Sequence, residues 1–89
     1  MNEMREELVK VGRVTHYFTN IGVAVIELCD DLKVGDEILV RGQTSNLSQV
    51  VDSMEIDRVK VEKAGKGQSI GLKIKDRVRH NDDVYRISK

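Results

Sequence analysis

The sequence is poor in cysteine and aromatic residues and has no long apolar run. One cysteine among 89 residues, Cys29, cannot form an internal disulfide, which suits a reducing compartment. A lone thiol of this kind reads as a small hydrophobe. Asp30 and Asp31 follow it directly, unlike the basic setting of an activated cysteine. With no apolar stretch of about 20 residues, no segment reads as a membrane span and no membrane partner is expected. The opening MNEMREEL is acidic and polar, unlike a secretory signal, so the expected location is cytoplasmic. Aromatics are confined to Tyr17, Phe18 and Tyr85, too few for a platform that stacks single-stranded bases.

Catalytic patterns are also missing or out of context. Gly67-Gln68-Ser69-Ile70-Gly71 matches the G-x-S-x-G form of serine hydrolases. That form needs a strand-to-helix elbow in a large α/β sheet, whereas Leu72, Lys73 and Ile74 continue as a strand. There is no phosphate-binding loop of the G-x-x-x-x-G-K-[ST] type. Gly65-x-Gly67 lacks dinucleotide spacing and a following helix. His16, His80 and Cys29 lack zinc-ligand spacing. Asp30/Asp31 and Asp82/Asp83 fall where turns are expected, and turn chemistry accounts for them. The expectation is a binding protein, not an enzyme, with no metal, cofactor or small-molecule substrate.

What the sequence does contain is short, β-rich runs punctuated by glycine, asparagine and aspartate. Strands are expected near 8–18, 21–28, 37–41, 48–57, 59–61, 69–75 and 83–88, rich in Val, Ile, Thr and Tyr. Ile70, Leu72 and Ile74 alternate with Lys73 and Lys75. Val23 and Val25 lie opposite Ala24, Ile26 and Leu28, so 21–28 should be a central strand buried on both faces. Val9 and Val11 give way to Val14, His16 and Phe18, a slip of one that predicts a bulge near Gly12. Gly35 with Asp36, Gly67 and Gly71 are the structural glycine positions, the last allowing close approach of another strand. The pattern gives one all-β domain over 8–89, after a flexible leader over 1–7. Its expected form is a small closed antiparallel Greek-key β-barrel of six to seven strands, which leaves few open edges.

Charge is balanced overall but divided along the chain. Residues 1–57 carry 5 basic and 11 acidic side chains, and residues 58–89 carry 10 basic and 4 acidic. The second half can offer a basic face to phosphate, or it can simply be a solvated strand face.

Several markers occur in a recognisable order: Gly12-Arg13-Val14, then Leu32-Lys33-Val34-Gly35-Asp36, Ser53-Met54-Glu55-Ile56, Glu62-Lys63-Ala64-Gly65 through Ser69-Ile70-Gly71, and Val78 to Tyr85. This order resembles the second-domain β-barrel of elongation factor Tu and its counterparts. Ile70-Gly71-Leu72-Lys73-Ile74 and the short ending look closer still to the small C-terminal barrel of collagenase-like peptidases. The first resemblance implies contacts with the 3′ end of aminoacyl-tRNA from positions matching Glu55, Arg58 and Ser69, with Ser where the family usually has Asn. Glu55 reads equally well as a cross-strand ion-pair partner. On this resemblance the leading expectation is a stand-alone translation-factor-like module docking to tRNA, rRNA or a ribonucleoprotein, with Lys60, Lys63, Lys66, Lys73 and Lys75 touching phosphate. The alternative is a protein-interaction barrel acting with a separate peptidase-like or GTPase partner. Convergent basic side chains would favour RNA, and scattered ones protein docking.

Overall fold

The computed structural model describes residues 7–88. Residues 1–6 of the expected leader lie outside the described residues, and Glu7 opens the first strand. Ten strands form: β1 (Glu7–Phe18), β2 (Val23–Leu28), β3 (Leu32–Lys33), β4 (Glu37–Arg41), β5 (Asn46–Val50), β6 (Met54–Ile56), β7 (Val59–Val61), β8 (Lys63–Ala64), β9 (Ser69–Lys73) and β10 (Asp83–Ser88). The all-β antiparallel expectation holds. Eight strands make one sheet in the order β5-β4-β10-β1-β2-β9-β6-β7, and β3 pairs with β8 separately.

The expected closed ring of six to seven strands is not found. β5 and β7 end the large sheet without pairing to each other. A side chain of β5 reaches the end of β9 instead. Gln49 on β5 donates through Nε2 to the Lys73 carbonyl at 2.8 Å and accepts from the Lys75 amide at 2.9 Å. The run 48–57 does not form one strand. It breaks at Val51, whose amide donates to the Asp36 carbonyl and whose carbonyl accepts from the Gly35 amide.

The core collects the inward residues of every long strand: Val11, Val14, Ala24, Ile26, Leu28, Ile38, Val40, Met54, Ile70, Leu72 and Val84. Burying each of the larger ones contributes about 1.5–3 kcal/mol of transfer free energy. β1 carries two irregularities, one between Lys10 and Gly12 against β10 and one between Val14 and His16 against β2. Gly12 is required sterically: a Cβ there would fall on the Glu27 carbonyl oxygen, with Ile26 Cγ2 at 3.0 Å. The second irregularity makes Thr15 the extra residue. Beyond it Tyr17 faces Ala24 on the inner side, while His16 and Phe18 turn outward beside Val25 and Val23. Val14, His16 and Phe18 therefore do not share a face, contrary to their alternation.

A Lys10–Asp83 ion pair at 3.0 Å ties β1 to β10. The hydrogen bond and charge of Asp83 raise the Lys10 amine above its ordinary value of 10.5. A raised folded-state value means that the pair's contribution is complete at neutral pH. On the alkaline side it is lost as pH climbs from the unfolded value of 10.5 through the raised folded-state value, and solvent and salt weaken it because both groups are exposed.

The hairpin between β6 and β7 turns on two residues, Asp57 at φ 52° and Arg58 at φ 68°. Two successive left-handed residues define a type I′ turn, which favours Asn-Gly or Asp-Gly. Arginine at the second position is strained by about 1–2 kcal/mol. Arg58→Gly should therefore stabilise the domain by about 0.5–1 kcal/mol after glycine's own entropic cost. In a thermal melt this would appear as a Tm increase of a few degrees, and a Tm at or below the parent value would refute the strain assignment.

Candidate functional site

β2 lies at the middle of the large sheet between β1 and β9, as its double-sided apolar character requires. Only one of its faces is sealed. Ala24, Ile26 and Leu28 are buried, whereas Val23 and Val25 are only half-buried on the outer face. Register places two rows of side chains across that face. His16, Val25, Gly71, Glu55 and Lys60 form one row, and Phe18, Val23 and Lys73 form the next. Together with the turns at Ile21 and at Asp57-Arg58, these rows enclose an open groove of about 660 Å³. Phe18 and Ile21 remain 45% and 59% exposed at its edge.

Three candidate residues meet in this groove. Glu55 reaches it from β6, Arg58 from the hairpin tip and Ser69 from the start of β9. Gly71 is not at a turn; it lies inside β9, paired to Val25 on one side and Glu55 on the other. It is not required for strand approach either. A Cβ there would meet Val23 Cγ1 at 3.6 Å, an ordinary contact, so packing does not demand glycine. Gly35 and Gly67 adopt φ of 99° and 89°. Asp36 closes the Gly35 turn by accepting from the Lys33 amide at 2.9 Å.

The remaining basic candidates do not join this set. Lys60 is exposed on β7 across from Glu55. Lys63 lines a separate concavity with Lys33, Asp31, Asp36 and Arg86, where the Arg86 guanidinium donates to the Asp31 carbonyl. Lys66 lines another with Lys10, Arg13 and Glu27. Lys73 flanks the groove floor opposite Val23, and Lys75 follows β9, where its amide is held by Gln49. Arg77 and Arg79 lie beside His80 and His16 in a further depression. The cations are thus dispersed, and Glu27, Asp31, Asp36 and Asp76 are interspersed among them.

Ser69 has no histidine at hand. His16 sits two strands away across β2 and two residues off in register, about 12 Å at the usual strand spacing and rise, and His80 lines the depression on the far side of His16. Among the described residues no group of three or more His, Cys, Asp or Glu could hold a metal ion. No described helix is long and apolar enough to cross a membrane. Cys29 is exposed, not packed as a small hydrophobe, and its Sγ lies 3.6 Å from the Lys10 carbonyl. Asp82 departs from the solvated-turn expectation. It is only 5% exposed, and its Oδ2 accepts from the Arg79 amide at 2.9 Å.

No protein-family model matches the chain. An uncharacterized protease of Methanocaldococcus jannaschii is 41% identical over 85 residues, covering 94% of this chain and 21% of that protein. A collagenase of Porphyromonas gingivalis is 39% identical over 83 residues, covering 91% of this chain and 20% of that protein. The chain spans about a fifth of the length of the curated relatives it matches. Among solved structures, the C-terminal domain of a Geobacillus thermoleovorans protein assigned to the U32 peptidases superposes with a TM-score of 0.83 at 20% identity. That match covers 88% of this chain and 91% of the domain. The fold is that of this C-terminal domain.

The resemblance to the small barrel of collagenase-like peptidases is therefore supported, and the elongation-factor resemblance is not. The reading as a translation module docking to RNA is overturned, because the relatives are named for proteolysis. The dispersal of Lys60, Lys63, Lys66, Lys73 and Lys75 gives the physical reason. Phosphate-tracking proteins concentrate cations along one path, and this surface does not.

Proposed function

We propose that the chain is a non-catalytic docking domain that works with a peptidase-like catalytic unit. The observation that carries this reading is the pattern of similarity. About two-fifths identity runs over nearly the whole chain, yet it occupies only a fifth of proteins named as a protease and a collagenase. The separation of Ser69 from both histidines supports assigning chemistry to another unit. The mixed surface, with acids beside most cations, suits protein contacts better than a nucleic-acid backbone.

Native capture of the tagged chain from its own cells, with mass spectrometry of what co-purifies, tests this directly. The expected result is enrichment of a polypeptide similar to the unmatched four-fifths of the M. jannaschii and P. gingivalis proteins. Recovery of nucleic acid alone, or of no such polypeptide above an untagged control, would remove the proposal.

A further inference from the structure

We infer that the depression along the second half of β1, beside residues 77–80, is a docking slot for an extended acidic segment of the peptidase-like unit. Acidic side chains two residues apart in that segment would face Arg77 and Arg79. This rests on the docking reading above and adds the place and the chemistry.

The slot exists because β1 loses a strand partner there. β10 pairs with β1 only as far as Arg13 and Asp83, and Val14 then bonds to Asn81 and Asp82. A turn carries residues 77–80 off the strand. It is closed by the Asp82 amide on the Arg79 carbonyl and by the Arg79 amide on Asp82 Oδ2. Past Val14, among the described residues, no backbone bond joins β1 to residues 77–80. The two segments line a depression of about 530 Å³. On this side β1 is an open edge, and an open edge recognises an extended backbone through its amides and carbonyls together. A phosphate could use only the amides.

Charge selects the side chains. Arg77, Arg79, His16 and His80 line the depression without a carboxylate, whereas Glu27, Asp31, Asp36, Glu55 and Asp76 are spread over the other concavities. Neither guanidinium has a hydrogen-bond or ion-pair partner among the described residues. The flanks do not reverse this sign. Lys75 and Asp76 offset each other, and Asp76 accepts from the Arg77 amide at 2.8 Å. Asp82 is buried against Gly42. Across the outer face Glu55 lies opposite Lys60, Asp57 adjoins Arg58, and Lys73 adds a cation in the row of Phe18. In the row before Val14, Arg41, Arg13 and Lys10 surround Asp83, and Glu27 follows Arg13. The surroundings are therefore positive, and a carboxylate is matched.

Spacing narrows the occupant further. Arg77 and Arg79 are exposed on either side of buried Val78, so they leave the same side of the chain, about 6.5 Å apart at extended rise. Acidic residues at i and i+2 of an extended segment share that spacing, and a guanidinium can hold a carboxylate by two parallel bonds. On the other bank His16 is set against Phe18, with ring centroids 4.3 Å apart, and its ring offers a further N–H donor.

The test is NMR titration of the 15N-labelled chain, at low salt, with blocked pentapeptides: Thr-Glu-Val-Glu-Thr, its isomer Thr-Glu-Glu-Val-Thr, and Thr-Lys-Val-Lys-Thr. The expected result is selective amide shifts at Tyr17, Thr19, Val78 and His80 with the first peptide. The isomer should bind about three-fold or more weaker and the lysine peptide at least about ten-fold weaker. Arg77→Ala and Arg79→Ala should each weaken the first peptide by about five-fold or more. Both side chains are exposed and the turn bonds come from their backbone amides, so the fold is retained. Lys66→Ala removes the same charge from another concavity and should change binding by less than about two-fold. Equal binding of the acidic and lysine peptides, equal binding of the two acidic isomers, indifference to both arginine variants, or shifts mapped elsewhere would each overturn the inference. Equal losses in Lys66→Ala and Arg79→Ala would do the same, by reducing the effect to net charge. Inorganic phosphate or an oligoribonucleotide acting on these amides at lower concentration than the peptide would assign the slot to phosphate and overturn it. Concentration-dependent shifts of the same amides without peptide would assign the slot to a second copy, with the same consequence. Failure here with capture of a peptidase-like polypeptide leaves the docking reading standing on another surface. Slot binding without such capture would remove the peptidase partner and keep the acidic-peptide site.

Discussion

Gly42→Ala should destabilise the domain by about 2–3 kcal/mol, through overpacking and a lost buried hydrogen bond. A Tm decrease of roughly 10 °C or more would follow for a domain of this size. Gly42 closes β4 and donates its amide to the Ser45 carbonyl at 2.8 Å. Its φ lies outside the left-handed region, so alanine meets no backbone penalty there. The penalty comes from Asp82. A Cβ at Gly42 would fall on Asp82 Oδ1, with Asp82 Cγ 2.6 Å away. The carboxylate is buried and held by the Arg79 amide, at a turn where Asn81 takes φ 76° and the Val14 amide donates to the Asp82 carbonyl. It cannot swing aside without giving up that bond. Asp82→Ala alone should cost about 1–2 kcal/mol for the lost bond and the amide left behind. The double variant should cost less than the sum by at least about 1 kcal/mol, because alanine at 42 then enters space the carboxylate has vacated. Urea unfolding of the four proteins measures the coupling. Additive costs would show that Asp82 is not what makes glycine necessary.

That contact also shows where the sequence stops being informative. In Asn81-Asp82-Asp83 a turn is legible from residue type, but nothing in the string says that the middle carboxylate turns inward against Gly42. Inner faces were legible where alternation is strict: Ile70, Leu72 and Ile74 are all buried. Alternation misled across Thr15, because Val14, His16 and Phe18 keep a period of two straight through a bulge. β3 and β8, at two residues each, are too short to show any period. Ring closure was inferred from strand number and small size, yet pairing between β5 and β7 depends on sheet curvature, which no local pattern encodes. Of the candidate site, Glu55, Arg58 and Ser69 came from a family resemblance whose RNA function does not carry over, and they nonetheless meet in one groove. Phe18, Ile21, Val23 and Val25 were missed as groove residues because apolar residues on a central strand read as core. The signal that could have found them was the second apolar face of 21–28, which needs a cover and has none within the described residues.

Met54→Ala should be the most damaging single truncation in the groove's support, at about 2–5 kcal/mol. Total stability for a domain of 89 residues is roughly 5–13 kcal/mol, so a large fraction would be lost. Met54 is fully buried, yet it sits on a three-residue strand that joins the sheet through only two residue pairs, Met54 with Leu72 and Glu55 with Gly71. With so short a ladder, the β6–β7 hairpin is held mainly by side-chain packing: Met54 in the core, with Ile56 and Val61 against it. Removing the anchor should loosen this hairpin before the rest of the sheet. Hydrogen exchange should then show protection falling first at amides 54–61, while β1, β2 and β9 keep theirs until global unfolding. Met54→Leu, which nearly conserves volume, should cost less than about 1.5 kcal/mol and leave that order unchanged. Uniform loss of protection in Met54→Ala would show that β6 and β7 belong to the same cooperative unit as the central strands. Selective loss would show that the wall carrying Glu55 and Arg58 is a separately stabilised flap.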